Sequence, residues 1–436
     1  MPQGEKRLET RDPASNKRER SVHPELASQL LESLGAGKEQ EDPPDAPGAA
    51  HAILRDAIRE RATDVHLDPD SRGLNVRLRI DGAMRDAAVL PPQQGHRLIN
   101  QLKTLGGIDP VAQFDAGEAR FAFQHEEGEV DLRLAFIPCL HGQKLTLRVL
   151  DPRQLAYGID ELGLCDRNLR RVQHWFTSLG GMFLVAGPVG SGKTTTLYAL
   201  LHALKLQTCS VSTLEDPIEY NVDGINQVQV DEEHDLTFAR GIRALARHNP
   251  DVILVGELRD PSTALAAYGA AALGRTILAT LHSRDAAGAV TSLRYYGLSD
   301  RDIATTLSMV VAQRLVRKLC AKCRRATSPT DAQKRWFDVI QVALPERSWE
   351  PVGCDHCRQS GYFGQTGVFE VWQLDDGDYH RLLDGATERD VRSSLASRSH
   401  KHFLADAMEK AEAGVTTLAE VQRLRLAGLA FPAGAE

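Results

Sequence analysis

The chain has 436 residues, of which 42% are hydrophobic and 25% are charged, and its formal net charge is -7. This length predicts two or three domains that each bury a core, and the acidic balance argues against a broad nucleic-acid-binding face. The sequence shows neither an apolar run of about 18 residues nor the apolar stretch of a secretory signal. We therefore expect a cytoplasmic protein.

Patterns of polarity divide the chain into five segments. Residues 1–50 are polar and charged, which predicts a disordered tail. Residues 51–153 combine a helical stretch with alternating apolar and polar positions, which predicts a small α+β domain. Residues 154–316 alternate short apolar strands with helical stretches, the pattern of a parallel α/β sheet. A four-cysteine segment, 317–374, and a C-terminal helical region, 375–436, complete the chain.

A glycine-rich loop stands between an apolar strand and a helical stretch. Its glycines let backbone N–H groups turn inward around phosphates, and the dipole of the following helix favours anions. Lys193 is expected to reach the β and γ phosphates of ATP, and Thr194 to bind Mg²⁺. The predicted ATP-binding residues are Gly187, Pro188, Val189, Gly190, Ser191, Gly192, Lys193, Thr194 and Thr195.

Three further apolar runs end in polar residues, and a parallel sheet places the carboxyl ends of its strands at one edge. Gly256 stands where a Walker B strand usually carries an aspartate, so we expect Glu215 of the neighbouring run to serve the Mg²⁺ shell. Glu257 is expected to polarise the attacking water, and His282 to sense the γ-phosphate. A simpler interpretation of the acidic residues around Glu215 is a solvated turn beside proline. A simpler interpretation of His282 is that it caps the end of a strand.

Two C-x-x-C pairs are separated by 30 residues (354 − 323 − 1). Four thiolates can surround Zn²⁺ tetrahedrally at ~2.3 Å, and a complete set of four indicates a structural site. Reduced free thiols and a redox pair are the alternatives. The predicted zinc ligands are Cys320, Cys323, Cys354 and Cys357. The three other cysteines, which we expect to be core residues, are Cys139, Cys165 and Cys209.

Together these motifs resemble the type II secretion and type IV pilus assembly ATPases (GspE/PilB-like) over about residues 51–430. TLEDPIEY resembles their Asp box, RHNPDVILVGELRD their Walker B motif, and GRTILATLHSRDA their His box. TDVHLDP and VRLRIDG resemble their second N-terminal domain. The resemblance implies a RecA-like core, a preceding PAS-like α+β domain and a ring of six subunits. Arg275 departs from the family, because the His box usually has a histidine there.

The resemblance also implies a function. The protein would hydrolyse ATP with Mg²⁺ and drive pseudopilus or pilus assembly through a polytopic inner-membrane platform protein, to which it would attach peripherally. Arg120 and Arg133 would reach the nucleotide, as arginines of this domain do in the family. The four-cysteine insertion is typical of assembly or secretion members.

Two alternatives stay open at this point. One is a nucleic-acid-linked motor for conjugation or DNA uptake, although the acidic balance predicts no stable nucleic-acid partner. The other is a nucleotide-gated scaffold with little hydrolysis, because Arg275 replaces an expected histidine and the short polar tail leaves no room for the usual docking module.

Overall fold

The structure is a computed structural model, and its described residues form two compact units, one ending at Leu150 and one beginning at Asp151. Apart from its last five positions, the predicted tail of residues 1–50 lies outside the described residues. None of the helices in the described part of the chain combines the length and apolar character needed to cross a membrane. The described residues are 46–111, 115–126, 128–151, 153, 157–207, 209–398 and 402–426.

The first unit is a six-stranded antiparallel sheet with two helices. The strand order is β3-β2-β1-β6-β5-β4, and the apolar sides of both helices share one core with the sheet. Alternating apolar and polar positions produce this half-buried pattern, as in a sheet with one covered face. The elements are α1 (Ala46–Arg59), β1 (Ala62–Asp70), β2 (Gly73–Ile80), β3 (Ala83–Leu90), α2 (Pro92–Leu105), β4 (Gly117–His125), β5 (Gly128–Cys139) and β6 (Gly142–Leu150).

The start of α1 corrects the predicted end of the tail. The predicted boundary between residues 50 and 51 falls inside this helix, which begins at Ala46. Ala49 and Ala50 are fully buried in the core of the first unit. Their burial depends on the sheet beneath them, so the Pro- and Gly-rich composition around them gave no sign of it.

The second unit is built on a seven-stranded sheet with the order β15-β12-β7-β11-β10-β8-β9. Neighbouring strands from β12 to β9 are parallel, whereas β15 is antiparallel to β12. The strands are β7 (Met182–Ala186), β8 (Val211–Glu215), β9 (Asn226–Gln229), β10 (Val252–Val255), β11 (Thr276–Leu281), β12 (Leu307–Leu319), β13 (Arg325–Thr327), β14 (Ser348–Glu350) and β15 (Tyr362–Gln373).

The central strands are buried on both faces. In β7, Leu184 belongs to one hydrophobic cluster and Val185 to the cluster on the other side of the sheet. Helices cover both faces, which explains why these strands are continuous apolar runs. The helices are α3 (Asp166–Trp175), α4 (Lys193–Lys205), α5 (Phe238–Ala246), α6 (Pro261–Ala272), α7 (Ala286–Tyr295), α8 (Asp300–Thr306), α9 (Asp331–Val339), α10 (Asp376–Leu383), α11 (Glu388–Ser397), α12 (Phe403–Glu412) and α13 (Leu418–Leu426).

The four-cysteine segment is shorter than residues 317–374. Strand β12 continues to Leu319 and β15 begins at Tyr362, and both belong to the central sheet. The segment between them, residues 320–361, contains β13, α9 and β14. The predicted limits cut into the sheet because β15 pairs with β12 across this intervening segment.

The prediction of a buried Cys139 is wrong. This residue ends β5 opposite Gly142, at a hairpin where its side chain is exposed. Cys165 and Cys209 are partly buried.

Candidate active site

The glycine-rich loop connects β7 to α4. Gly190 and Gly192 adopt φ values of 75° and 86°, which favour glycine. A Cβ atom at Gly187 would lie 2.7 Å from the backbone carbonyl oxygen of Gln313, so this position also requires glycine. Gly192 caps α4 without a side-chain hydrogen bond. The first-turn N–H groups of α4 therefore suit an anion.

The remaining loop residues differ in exposure. Pro188 and Val189 are exposed at the tip, and the side chain of Ser191 is buried beneath it. Thr194 and Thr195 are partly exposed on the first turn of α4. Thr194 thus lies where the helix begins, beside Lys193.

Lys193 lies between the loop and the end of β11. Its Nζ donates a hydrogen bond to the carbonyl oxygen of Gly187 at 2.9 Å and lies 3.5 Å from Nδ1 of His282. Burial lowers the pKa of Lys193, and the nearby positive charge of Arg314 adds to this effect, whereas Glu257 opposes it. A negatively charged phosphate is the ligand that such a partly buried ammonium group suits best.

Ionisable side chains form a continuous row along the carboxyl edge of the sheet. Nε2 of His282 lies 2.5 Å from Oε1 of Glu257, and Nε of Arg259 donates to Oε2 of Glu257 at 2.5 Å. Nη1 of Arg259 donates to Oδ2 of Asp216 at 3.0 Å. The row follows the strand order β7-β11-β10-β8 and runs from Lys193 to Asp216. We call these five residues the edge row.

Glu215 lies behind the edge row. It is 4% exposed, and its carboxylate accepts hydrogen bonds from Thr213 Oγ1 at 2.6 Å, Tyr198 Oη at 2.6 Å and Gln227 Nε2 at 3.2 Å. Burial and the charge of Glu215 raise the pKa of Tyr198, so its hydroxyl stays a donor. Of the two neighbouring acids, the structure therefore brings Asp216 into the edge row.

Two polar residues that sequence reasoning missed also build the site. Arg259 belongs to the edge row. Gln313 of β12 is 1% exposed, donates to the carbonyl oxygen of Ser191 at 2.7 Å and accepts from Oγ1 of Thr196 at 2.8 Å. The sequence signal for Gln313 is a polar residue within an otherwise apolar strand.

The segment that follows His282 is held by β15 and α11. Asp285 is buried at the start of α7, and Nε and Nη2 of Arg392 donate to its Oδ2 at 2.9 and 2.7 Å. Oε1 of Glu370 accepts a hydrogen bond from the backbone N–H of Ala286 at 3.1 Å. These contacts fix the segment between β11 and α7.

Arg275 lies at the other end of β11. It directly precedes the first residue of this strand, and its guanidinium donates to the side-chain carbonyl of Asn249. His282 follows the last residue of the same strand. Within this chain, the residue that replaces the expected histidine therefore lies at the sheet edge opposite the edge row.

Arg120 and Arg133 belong to the first unit. They lie directly opposite each other on β4 and β5, so their side chains share one face of the sheet. Arg148 on β6 pairs with Arg133 and extends the same line. Arg120 also forms an ion pair with Asp131, with Nη2 2.8 Å from Oδ2. The structure thus gathers the two predicted arginines into one basic line.

The four predicted zinc ligands form one cluster. Their sulfur atoms all lie within 4.8 Å of one another, with separations of 3.9 Å for Cys320–Cys354 and 3.7 Å for Cys323–Cys357. A tetrahedral zinc–thiolate site requires about 3.8 Å between sulfurs. The donor set therefore fits Zn²⁺.

Residues 39–423 match the model of a family described as Type II/IV secretion system protein. The chain is 36% identical over 385 residues to the putative type II secretion system protein E of Escherichia coli, covering 87% of this chain and 76% of that protein. It is 35% identical over 376 residues to the type IV pilus assembly ATPase PilB of Acinetobacter baylyi, covering 85% of this chain and 65% of that protein.

The fold is shared with a solved structure. The match to the X-ray structure of the Legionella pneumophila ATPase DotB covers 90% of this chain and 98% of the DotB chain. Its TM-score is 0.66 at 19% sequence identity. This likeness concerns the mixed α/β fold. On the family match and the relatives at or above 35% identity, the chain belongs to the type II/IV secretion system protein family.

Proposed function

We propose that the protein is an ATP-hydrolysing motor that powers pseudopilus or pilus assembly. The observation that carries this proposal is the contact of His282 with both Lys193 of the phosphate loop and Glu257 of the neighbouring strand. A phosphate-binding lysine and a carboxylate for the attacking water are the two groups that ATP hydrolysis needs close together. Membership of the family supports the same function.

Each residue of the site has a distinct role in this proposal. The loop N–H groups and Lys193 hold the phosphates of ATP, and Thr194 binds Mg²⁺, which neutralises phosphate charge when bound. Glu257 polarises and orients the attacking water. His282 keeps a proton on Nε2 toward Glu257 and senses the γ-phosphate.

Residues next to these complete the proposed chemistry. Asp216, whose side chain is exposed, serves the shell of Mg²⁺ through water in place of the expected Glu215, which is buried behind the edge row. Arg120 and Arg133 stabilise the transferred phosphoryl group, from this chain or from a second copy. Their position opposite each other on one face of the first sheet supports this assignment.

The assembly proposed for the chain follows the resemblance stated above. A RecA-like core and a PAS-like first unit form a homohexamer on the cytoplasmic side of the inner membrane, where a polytopic platform protein is the partner. The machinery with which the motor works is that of protein secretion or pilus assembly, which the names of the two relatives describe. The four thiolates hold a structural Zn²⁺ that takes no part in hydrolysis.

A substitution at Glu257 tests the enzymatic part of the proposal. Glu257→Gln keeps the shape of the side chain but removes the charge that polarises water. We expect turnover to fall by about 10²- to 10⁴-fold, while the affinity for Mg·ATP stays close to that of the wild type. Phosphate release and equilibrium binding of a fluorescent ATP analogue measure the two quantities.

Glu232→Gln is the matched control, because Glu232 is exposed in a short 3-10 helix outside the edge row. Its turnover should equal that of the wild type. Negligible turnover in the wild type, equal to that of Glu257→Gln, would refute the motor and favour the nucleotide-gated scaffold. Equal and substantial turnover would refute the role of Glu257.

A further inference from the structure

Arg259 connects two acidic residues that follow neighbouring strands. Its Nε donates to Oε2 of Glu257 at 2.5 Å, and its Nη1 donates to Oδ2 of Asp216 at 3.0 Å. Glu257 follows β10 and Asp216 follows β8, and these two strands are parallel neighbours in the sheet. One guanidinium group thus bridges the ends of two strands whose acids are 41 positions apart (257 − 216).

The backbone and side chain of Arg259 are both supported. The next residue, Asp260, caps α6 by accepting hydrogen bonds from the N–H and the hydroxyl of Thr263 at 2.9 and 2.7 Å. The guanidinium carbon lies 5.7 Å from the centre of the Phe238 ring, within the range of a cation–π interaction. Arg259 therefore extends from a fixed helix start across an aromatic surface of α5.

The carboxylate of Glu257 is held at both oxygens as a result. His282 contacts Oε1, and Arg259 contacts Oε2. Each carboxylate oxygen has two acceptor positions, so a water molecule can still donate to this group. The side chain of Glu257 is 16% exposed, and the pair of contacts determines which way its remaining acceptor positions point.

We infer that Arg259 is a positioning residue for the proposed hydrolysis: it orients the carboxylate of Glu257 and joins it to Asp216 as one rigid unit. The inference rests on the proposed function. Among the described residues, both side-chain hydrogen bonds of Arg259 go to these acids, and neither goes to the glycine-rich loop. Its loss should therefore impair the chemical step and leave nucleotide affinity unchanged.

Arginine substitutions provide the first test. In Arg259→Gln we expect kcat to fall about 10- to 100-fold, because a small misplacement of a catalytic group has an effect of that size. KM for ATP should stay within about twofold, since the hydrogen bonds of Arg259 go to the two acids and their loss leaves the ground-state contacts of the loop with ATP in place. Arg259→Lys keeps the charge but cannot form both directed hydrogen bonds, so its kcat should lie between those of Arg259→Gln and the wild type.

The bridge itself is tested by a double-mutant cycle with Asp216→Asn. If Arg259 acts through both acids, the combined variant should lose less activity than the product of the two single losses. Independent, multiplicative losses would overturn the bridge. An unchanged kcat in Arg259→Gln, or a KM that rises in parallel with the loss of kcat, would overturn the positioning role.

Arg240→Gln is the control, because this exposed arginine pairs with Asp235 away from the edge row. It should keep the kcat and KM of the wild type. Melting temperature and particle size verify that each variant folds, and Arg259→Lys with Asp216→Asn carry the test if Arg259→Gln does not. A wild type without turnover removes the proposed function and this inference with it, whereas an active wild type with an unaffected Arg259→Gln removes the inference alone.

Discussion

At the scale of single residues, the shape of the phosphate loop depends on a buried amide from another strand. Gln313 uses its donor on the carbonyl of Ser191 and its acceptor on the hydroxyl of Thr196, so all three buried groups are paired. A buried polar group without a partner destabilises a protein substantially. Gln313 therefore fixes the loop from below.

Replacement of Gln313 by methionine tests this role. The variant keeps the size of the side chain but leaves the Ser191 carbonyl and the Thr196 hydroxyl without partners, which should lower the free energy of unfolding by about 1–3 kcal/mol. Distortion of the loop should weaken Mg·ATP binding by about 10-fold, equivalent to about 1.4 kcal/mol. Urea unfolding and equilibrium nucleotide binding measure the two effects.

Gln173→Met provides the comparison, because Gln173 is exposed on α3. This control should change neither quantity. Wild-type ATP affinity in the Gln313 variant would show that the loop keeps its shape without the amide.

At the scale of elements, strand β15 and the C-terminal helices hold the start of α7 through a buried charged cluster. Oε2 of Glu370 lies 3.4 Å from Nε2 of His402, next to the Asp285–Arg392 ion pair. Burial, followed by the charge of Asp285, raises the pKa of Glu370 to about 8. Burial also lowers the pKa of His402 to about 4, an effect that the positive charges of Arg392 and Arg314 strengthen.

This cluster predicts a pH dependence of stability. Glu370 binds its proton more tightly in the folded chain than its ordinary pKa of 4.5 allows, so its contribution is lost as pH rises toward 8. His402 is neutral in the folded chain in this range, and its ordinary pKa of 6.5 in the unfolded chain gives an opposing slope that has nearly vanished by about pH 7.5. Between pH 6.5 and 8 the free energy of unfolding should therefore fall through Glu370 by up to about 1.4 kcal/mol per pH unit, with the slope decreasing as pH 8 is approached.

Glu370→Gln isolates the contribution of Glu370 to this pH dependence, because the amide keeps the acceptor for the N–H of Ala286 and cannot lose a proton. Urea unfolding at pH 6.5 and pH 8 should show a smaller loss of stability in this variant than in the wild type. Equal losses in the two proteins would assign the slope to other groups.

At the scale of the whole molecule, the four-cysteine segment closes back onto the C-terminal helices. The N–H of Cys320 donates to the carbonyl of Gly361 at 2.9 Å, which joins the two ends of residues 320–361. Nε1 of Trp349 donates to the carbonyl of Glu412 at 3.0 Å, at the end of α12. Zinc in this segment would therefore stabilise contacts well beyond the four ligands.

Cys357→Ser tests this role of the metal. The wild type should bind one zinc ion per chain, and the variant should lose it, because only four thiolates complete the tetrahedral set. Loss of the metal should lower the melting temperature by about 4–8 °C, equivalent to about 2 kcal/mol for a unit of this size. Metal analysis of the purified protein and thermal unfolding measure both effects.

Cys139→Ser is the corresponding control, because Cys139 is an exposed cysteine at a hairpin of the first unit. It should keep zinc and melting temperature at the wild-type values. A Cys357 variant that retains the full zinc content would rule out this cluster as the site.

Local patterns were sufficient to predict much of the architecture. Apolar runs predicted the parallel strands β7, β8, β10 and β11, which the structure confirms as neighbours. A helix, a glycine stop and a second helix near the C-terminus are likewise confirmed, with Gly414 at a φ of 69° between α12 and α13. These features depend on residues close in sequence, so their spacing and periodicity were enough to recognise them.

The contacts that complete the site were decided by the tertiary structure. Gln313 reaches a loop 122 residues earlier in the chain, and Arg259 reaches Asp216 across 43 residues. Tertiary contacts also decide the position of Glu215. Residues of β9 and α4 enclose its carboxylate, so Asp216 rather than Glu215 belongs to the edge row. Sequence alone determined the motifs, the strands and the family. Which polar groups pair with one another depended on strand order, because hydrogen bonds between distant segments leave no periodic trace in the chain.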